Sequence, residues 1–91
     1  MKGLTAVLLE AAATAEAAGE SEWFWEHVGK TVGDADQELL EHLVSSTAIH
    51  RDRRRKEMEA AIQLLEILGV DPVMTRATVE SLRSVDPNSV P

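Results

Sequence analysis

Apolar residues recur every three to four positions along most of the chain, which is the spacing of one face of an α-helix. In the first segment this face carries Leu4, Leu8, Ala11, Ala15 and Ala18. No segment alternates apolar and polar residues with period two, so no strand is predicted. We therefore expect an all-α fold. The predicted helices cover roughly residues 4–18, 21–28, 35–68 and 72–84.

Capping residues and a glycine define the ends of the longest predicted helix, 35–68. Asp34 followed three residues later by Gln37 is a capping-box pattern, which is typical of a helix N-terminus. Gly69 suits the left-handed position just beyond a helix C-terminus, and Val70 is placed for the hydrophobic contact of a Schellman motif. Both ends of this helix are therefore predicted from local sequence.

Proline and glycine mark the remaining boundaries. Segment 29–33 has a glycine at each end and is predicted to be a loop. Asp71-Pro72 predicts the start of the last helix, with aspartate as the N-cap and proline at the first helical position. We expect one helical domain over residues 1–85, followed by a disordered tail over residues 86–91.

The predicted helices arrange most simply as a long antiparallel hairpin, with residues 4–28 against 35–68 and a short C-terminal helix. A helix over 35–68 would be about 50 Å long, and two such helices cannot close a core by themselves. We therefore expect a homodimer or larger ring, in which two hairpins complete a four-helix bundle. The sequence leaves open whether Gly19 or Ser45 interrupts a helix.

A basic block in the middle of the long helix consists of Arg51, Arg53, Arg54, Arg55 and Lys56. On a helical projection Arg51 and Arg54 fall on the apolar face, Arg55 lies at its edge, and the other two point outward. A guanidinium group near the core without a counter-charge is costly. The side chains either extend to water or meet an anion. We expect this window to bind an acidic partner surface.

Three aromatic residues follow one another at Trp23, Phe24 and Trp25. Consecutive helical residues point about 100° apart, so at least one ring must face away from the intramolecular core. The outward ring is either an exposed edge of a lid over the bundle or an anchor in an interface, where tryptophan is enriched. We expect the segment to be a second partner contact.

Charge is distributed unevenly along this chain of net charge −7. Residues 1–49 hold nine acids and two bases, whereas residues 50–91 hold seven of each. The acidic first half does not favour nucleic acid binding, which depends on clustered Lys and Arg. The chain has no cysteine, which fits a cytoplasmic location. We expect neither a signal peptide nor a membrane span.

Two pairs of possible metal ligands have the spacing of one helical turn. Glu22 with Glu26, and Glu38 with His42, each lie on one helix face. Such pairs are common on solvated surfaces, so no metal site is favoured. A four-helix dimer that gathered these side chains could nevertheless hold iron or another transition metal.

Three segments resemble encapsulated-ferritin-like proteins over about residues 20–85: Glu22-Trp23-Phe24, Asp36-Gln37-Glu38-Leu39 and Arg55-Lys56-Glu57-Met58. The resemblance implies two long antiparallel helices plus a short third, and a ferritin-like metal-binding oligomer. The metal-ligand motif is incomplete, because the last segment lacks the histidine of the Glu-x-x-His pair. Ala17 also stands near the position of the first-helix carboxylate.

Two further segments, 39–54 and 68–79, resemble a helix-turn-helix and leave a DNA-binding regulator as another alternative. The first lacks the turn glycine and the second has too long a spacer. No phosphate-binding loop or nucleophile elbow is present, so no catalytic residue is proposed. We interpret the chain as a non-enzymatic module that self-associates and binds an acidic partner.

Overall fold

A computed structural model of the chain describes residues 1–86, which form five helices and no strands. The all-α prediction is confirmed. The predicted tail lies, from residue 87 onward, outside the described residues. The helices are α1 (Lys2–Ala17), α2 (Ser21–Gly33), α3 (Gln37–Ile49), α4 (Arg51–Ile67) and α5 (Val73–Ser84).

Gly19 ends the first helix, which settles one question that the sequence left open. Its φ of +74° lies in the left-handed region, where glycine has no steric penalty. The Glu20 amide then donates to the Ala15 carbonyl at 2.7 Å, and α2 begins at Ser21. The chain therefore changes direction between α1 and α2.

The segment 29–33, predicted as a loop, is instead the last turn of α2. The Asp34 amide donates to the Lys30 carbonyl at 2.9 Å, so Asp34 ends α2 rather than capping the next helix. Asp36 is the cap of α3, because its carboxylate accepts a hydrogen bond from the Leu39 amide at 2.8 Å. A single glycine inside a helix costs only about 1 kcal/mol, which the rest of the helix offsets.

The predicted helix 35–68 is divided at His50, whose φ of −103° and ψ of 24° separate α3 from α4. The division falls just after three hydroxyl-bearing residues, which compete for hydrogen bonds with a regular helix. Arg54 reaches back across it and donates to the hydroxyls of Thr47 at 3.0 Å and Ser46 at 3.1 Å. The single long helix is therefore corrected to two helices joined at a bend.

The antiparallel pair α4 and α5 forms the main core. Leu65, Val79 and Leu82 are buried between these helices. The connection has the predicted Schellman form, since Gly69 has a φ of +78° and the Val70 amide donates to the Leu65 carbonyl at 2.9 Å. The closest antiparallel partner of α4 is thus α5, rather than the first helices of the chain.

The remaining helices are packed loosely. α1 meets α2 and α5, whereas α3 meets mainly α4. The radius of gyration is 13.9 Å, compared with about 12 Å for a compact domain of this length. The chain exposes 6652 Å² of surface, compared with about 5,200 Å² for a compact monomer of its mass. This surface includes large apolar side chains, because Leu4, Val7, Leu40, Leu43 and Leu64 are each about half exposed.

Candidate functional site

An open groove of about 780 Å³ lies between α1, α2, α4 and α5. The small side chains of Ala11, Ala15 and Ala61 line it and leave space that larger residues would fill. Leu64 and Trp23 also line it and are half-exposed. A cavity of this size and apolar lining is typical of a binding site.

The three consecutive aromatic rings diverge, as their helical spacing requires. Phe24 is the buried member, with 5% of its surface exposed. Trp25 is 62% exposed and packs edge-on against Phe24, with ring centroids 4.9 Å apart. Trp23 stacks on His27 at 5.1 Å. Two of the three predicted partner contacts are therefore available at the surface.

Two members of the basic block, Arg53 and Arg55, pair with acids of their own helix. Arg53 lies 3.8 Å from Glu57, and Arg55 lies 3.1 Å from Glu59. An exposed pair at this helical spacing, such as Arg53 with Glu57, contributes only about 0.3 to 0.5 kcal/mol. These arginines are already neutralised locally.

The other three members, Arg51, Arg54 and Lys56, have no acidic partner within residues 1–86. Arg51 and Arg54 are half-buried, and Lys56 is exposed, as the helical projection predicts. Arg54 bonds only hydroxyl groups, and Arg51 makes one long contact of 3.5 Å with the Ala48 carbonyl. Three positive charges at the start of α4 are thus not neutralised by any acid of the described residues.

Glu10, which the sequence analysis did not select, joins α1 to the first turn of α5. Its carboxylate accepts from the Met74 amide at 2.7 Å, and from the amide and hydroxyl of Thr75 at 2.8 and 2.7 Å. A carboxylate is stabilised there by the unpaired amides and the helix dipole.

The predicted cap of α5, Asp71, does not perform this role. The helix begins at Val73 after Pro72, and the Asp71 side chain makes no capping hydrogen bond to it. A helix start without a local side-chain acceptor requires one from elsewhere in the fold. A helix that starts after proline without a local cap indicates that an acceptor must come from elsewhere in the chain. The sequence did not identify Glu10 as that acceptor.

The alternative metal ligands Glu22, Glu26, Glu38 and His42 are all exposed. Over residues 1–86, no three or more His, Asp or Glu side chains are grouped so that they could hold a metal ion. One chain thus does not gather these four residues into a ligand set, and a ferritin-like site that uses them would need a second chain.

The fold and these surfaces define a small all-α domain with an uncovered apolar groove and a basic cluster. In the part of the chain that is described, no helix has the length and apolar character needed to cross a bilayer. The family model of a domain of unknown function, DUF1932, matches residues 15–85, and the chain belongs to that family. No curated protein and no solved structure matches it significantly.

Proposed function

We propose that this domain is a non-enzymatic self-association module in which a second copy covers the apolar groove. The observation that carries the proposal is the surface area. The chain exposes about 1,400 Å² more than a compact monomer of 10.0 kDa. A standard protein interface buries about 800 Å² on each partner, so the excess is sufficient for one.

The side chains around the groove favour a protein partner. Leu64 and Val7 line the groove and are about half exposed. Burying them against a partner would remove the unfavourable free energy of exposing apolar surface to water. Trp23 stands at the same groove, and tryptophan residues of this kind often dominate the free energy of association. A second copy supplies matching apolar surface without requiring any other protein.

The basic cluster gives the same module a charged contact. Arg51, Arg54 and Lys56 lack acidic partners within residues 1–86, and the first two are half-buried. Pairing with an acidic surface would offset the cost of desolvating these guanidinium groups. It would also fix the orientation of the partner, because complementary charges select one register.

The test is the mass of the full chain, measured by light scattering after size-exclusion chromatography and by native mass spectrometry. Leu64→Glu places a charge in the groove and should shift the chain to monomer. Ile67→Glu is the matched control, because Ile67 is 82% exposed on the same helix and does not line the groove, whereas Leu64 is 53% exposed within it.

A wild-type monomer, or equal masses for the two variants, would contradict the proposal. The same native spectra test the metal alternative, since retained iron with a metal-dependent mass would favour a ferritin-like oligomer. A shift of duplex DNA at low salt, lost steeply as salt rises, would instead favour a helix-turn-helix regulator.

A further inference from the structure

Helix α3 carries an apolar stripe that the other described residues, 1–86, leave about half uncovered. Leu40, Leu43 and Val44 share one face and are each about half exposed. α3 has 13 residues and packs mainly against the start of α4. An isolated helix of about this length is only marginally stable in water, so tertiary contacts must support it.

The same helix begins in an acidic segment. Asp34, Asp36, Glu38 and Glu41 lie within eight positions, and no Lys or Arg lies between residues 31 and 50. Asp34 has an ion pair with Lys30 at 3.6 Å. Within residues 1–86 the other three carboxylates have no cationic partner, although Asp36 caps α3 and Glu41 accepts a bond from Gln37. Uncompensated acids at the start of α3 thus match uncompensated bases just beyond its end.

The order of these charges about the apolar stripe is symmetric in the sequence. The stripe is centred between Leu43 and Val44; Asp36, the cap of α3, precedes that centre by as many positions as Arg51, the first residue of α4 after the bend at His50, follows it. Two copies of α3 packed antiparallel about this centre would bring Asp36 of each copy towards Arg51 of the other. Both charge contacts and the apolar contact would then form together.

We propose that two copies of this chain pair their α3 helices antiparallel through Leu40, Leu43 and Val44. The acidic partner of the basic cluster is then the acidic start of α3 in the second copy. This inference rests on the proposed self-association and adds a contact through α3, whose apolar stripe lies outside the groove. A two-fold interface presents the same patch from both subunits, and a patch with an acidic end and a basic end is self-complementary in that arrangement.

Cysteine cross-linking tests the geometry directly, because the chain has no cysteine of its own. Val44→Cys lies next to the two-fold centre and should form a disulfide-linked dimer under mild oxidation. Leu40→Cys should not link to its own copy, because an antiparallel pair separates the two sites by about 10 Å along the helix, beyond the roughly 7 Å limit of a disulfide. A mixture of Leu40→Cys and Thr47→Cys should link.

A charge exchange tests the partner assignment in the full chain. R51E/R54E and D34K/D36K should each associate at least tenfold more weakly than wild type, because the pairing brings Asp36 and Asp34 of one copy near Arg51 and Arg54 of the other. The mixture of the two variants should associate as wild type does, because every exchanged base then faces an exchanged acid. Circular dichroism of each variant verifies that the helices are retained.

The outcomes separate this inference from the proposed function. A wild-type oligomer without the Val44→Cys link, or with Leu40→Cys linking to itself, overturns the antiparallel α3 pairing and leaves self-association standing. An oligomer that R51E/R54E does not weaken overturns the charge assignment. A wild-type chain that stays monomeric overturns both the inference and the proposed function.

Discussion

The α4 and α5 pair and the α1 to α3 region use similar apolar residues with opposite results. In the first, Leu65, Val79 and Leu82 are buried, and the ion pairs Glu66 to Arg76 and Glu59 to Arg83 bridge the two helices. In the second, Leu and Val side chains of α1 and α3 remain about half exposed. The first region buries large apolar side chains between its two helices, whereas the second buries Phe24 and Ala48 but leaves most of its Leu and Val side chains exposed.

The difference indicates which helices stabilise the fold and which surfaces are free to associate. A tight Schellman connection places α4 and α5 side by side, so their large side chains meet at once. The facing surface of α1 is mostly alanine, which leaves a groove instead of a filled core. We therefore assign folding stability mainly to the α4 and α5 pair, and the proposed self-association to the groove between α1, α2, α4 and α5 and to the exposed face of α3.

The largest expected effect comes from truncating the core. Leu82→Ala should lower the free energy of unfolding by about 2 to 5 kcal/mol, because it leaves a cavity between α4 and α5. Leu43→Ala, on exposed α3, should lower it by less than about 1 kcal/mol in dilute protein. Urea denaturation at one fixed low concentration measures both. Equal losses at the two sites would break the distinction between the regions.

Removing the Glu10 charge should have the next largest effect, since Glu10 makes three hydrogen bonds between α1 and α5. Glu10→Gln loses charge-assisted bonds to α5 and should cost about 1.5 to 3 kcal/mol of unfolding free energy. Glu16→Gln is the control, because Glu16 is exposed on the same helix. If Glu16→Gln lowered the unfolding free energy as much as Glu10→Gln, the effect would come from the negative charge of α1 in general and not from the Glu10 bonds to α5.

A pair of glycine substitutions should act with opposite signs. Gly69→Ala forces a non-glycine residue into the left-handed region and should lower the unfolding free energy by about 1 to 2 kcal/mol. The loss comes from the backbone conformation alone, because the added methyl group would contact no other atom. Gly29→Ala lies inside α2 with open space around it and should stabilise by about 0.5 to 1 kcal/mol. Thermal unfolding of both variants checks the signs, and a stabilising Gly69→Ala would contradict the Schellman connection.

The smallest expected effects distinguish the two kinds of arginine in the basic block. Arg53→Ala removes only an exposed ion pair and should change the unfolding free energy by less than about 0.5 kcal/mol. Arg54→Ala removes the two hydroxyl contacts that span the bend at His50 and should cost about 1 kcal/mol. A smaller loss for Arg54→Ala than for Arg53→Ala, in the same urea titration, would contradict the bracing role.

Local rules predicted the parts of the fold that depend on neighbouring residues. Gly69 requires a left-handed conformation whichever helix packs nearby, and three consecutive aromatic residues must diverge on any helix. The inward and outward placement of Arg51, Arg54 and Lys56 follows from the same periodicity. These features were accessible because each depends on a few adjacent positions.

Features that depend on tertiary contacts were not accessible from the sequence. The hydroxyl-bearing residues before His50 left a break in the long helix open, but whether it forms depends on contacts such as those of Arg54 with Thr47 and Ser46. Glu10 contacts the start of α5, which lies more than sixty residues later in the sequence. The choice of Asp36 over Asp34 as cap depends on how far α2 continues, which propensity decides weakly. Each outcome required the packed structure.

The most direct test of the central claim is sedimentation equilibrium of the full chain over a series of concentrations. Self-association through the uncovered apolar surface predicts a mass that rises to twice 10.0 kDa or to a higher multiple. The rise should be shifted to higher concentration by Leu64→Glu and left in place by Ile67→Glu. A mass of 10.0 kDa at every concentration would contradict the account.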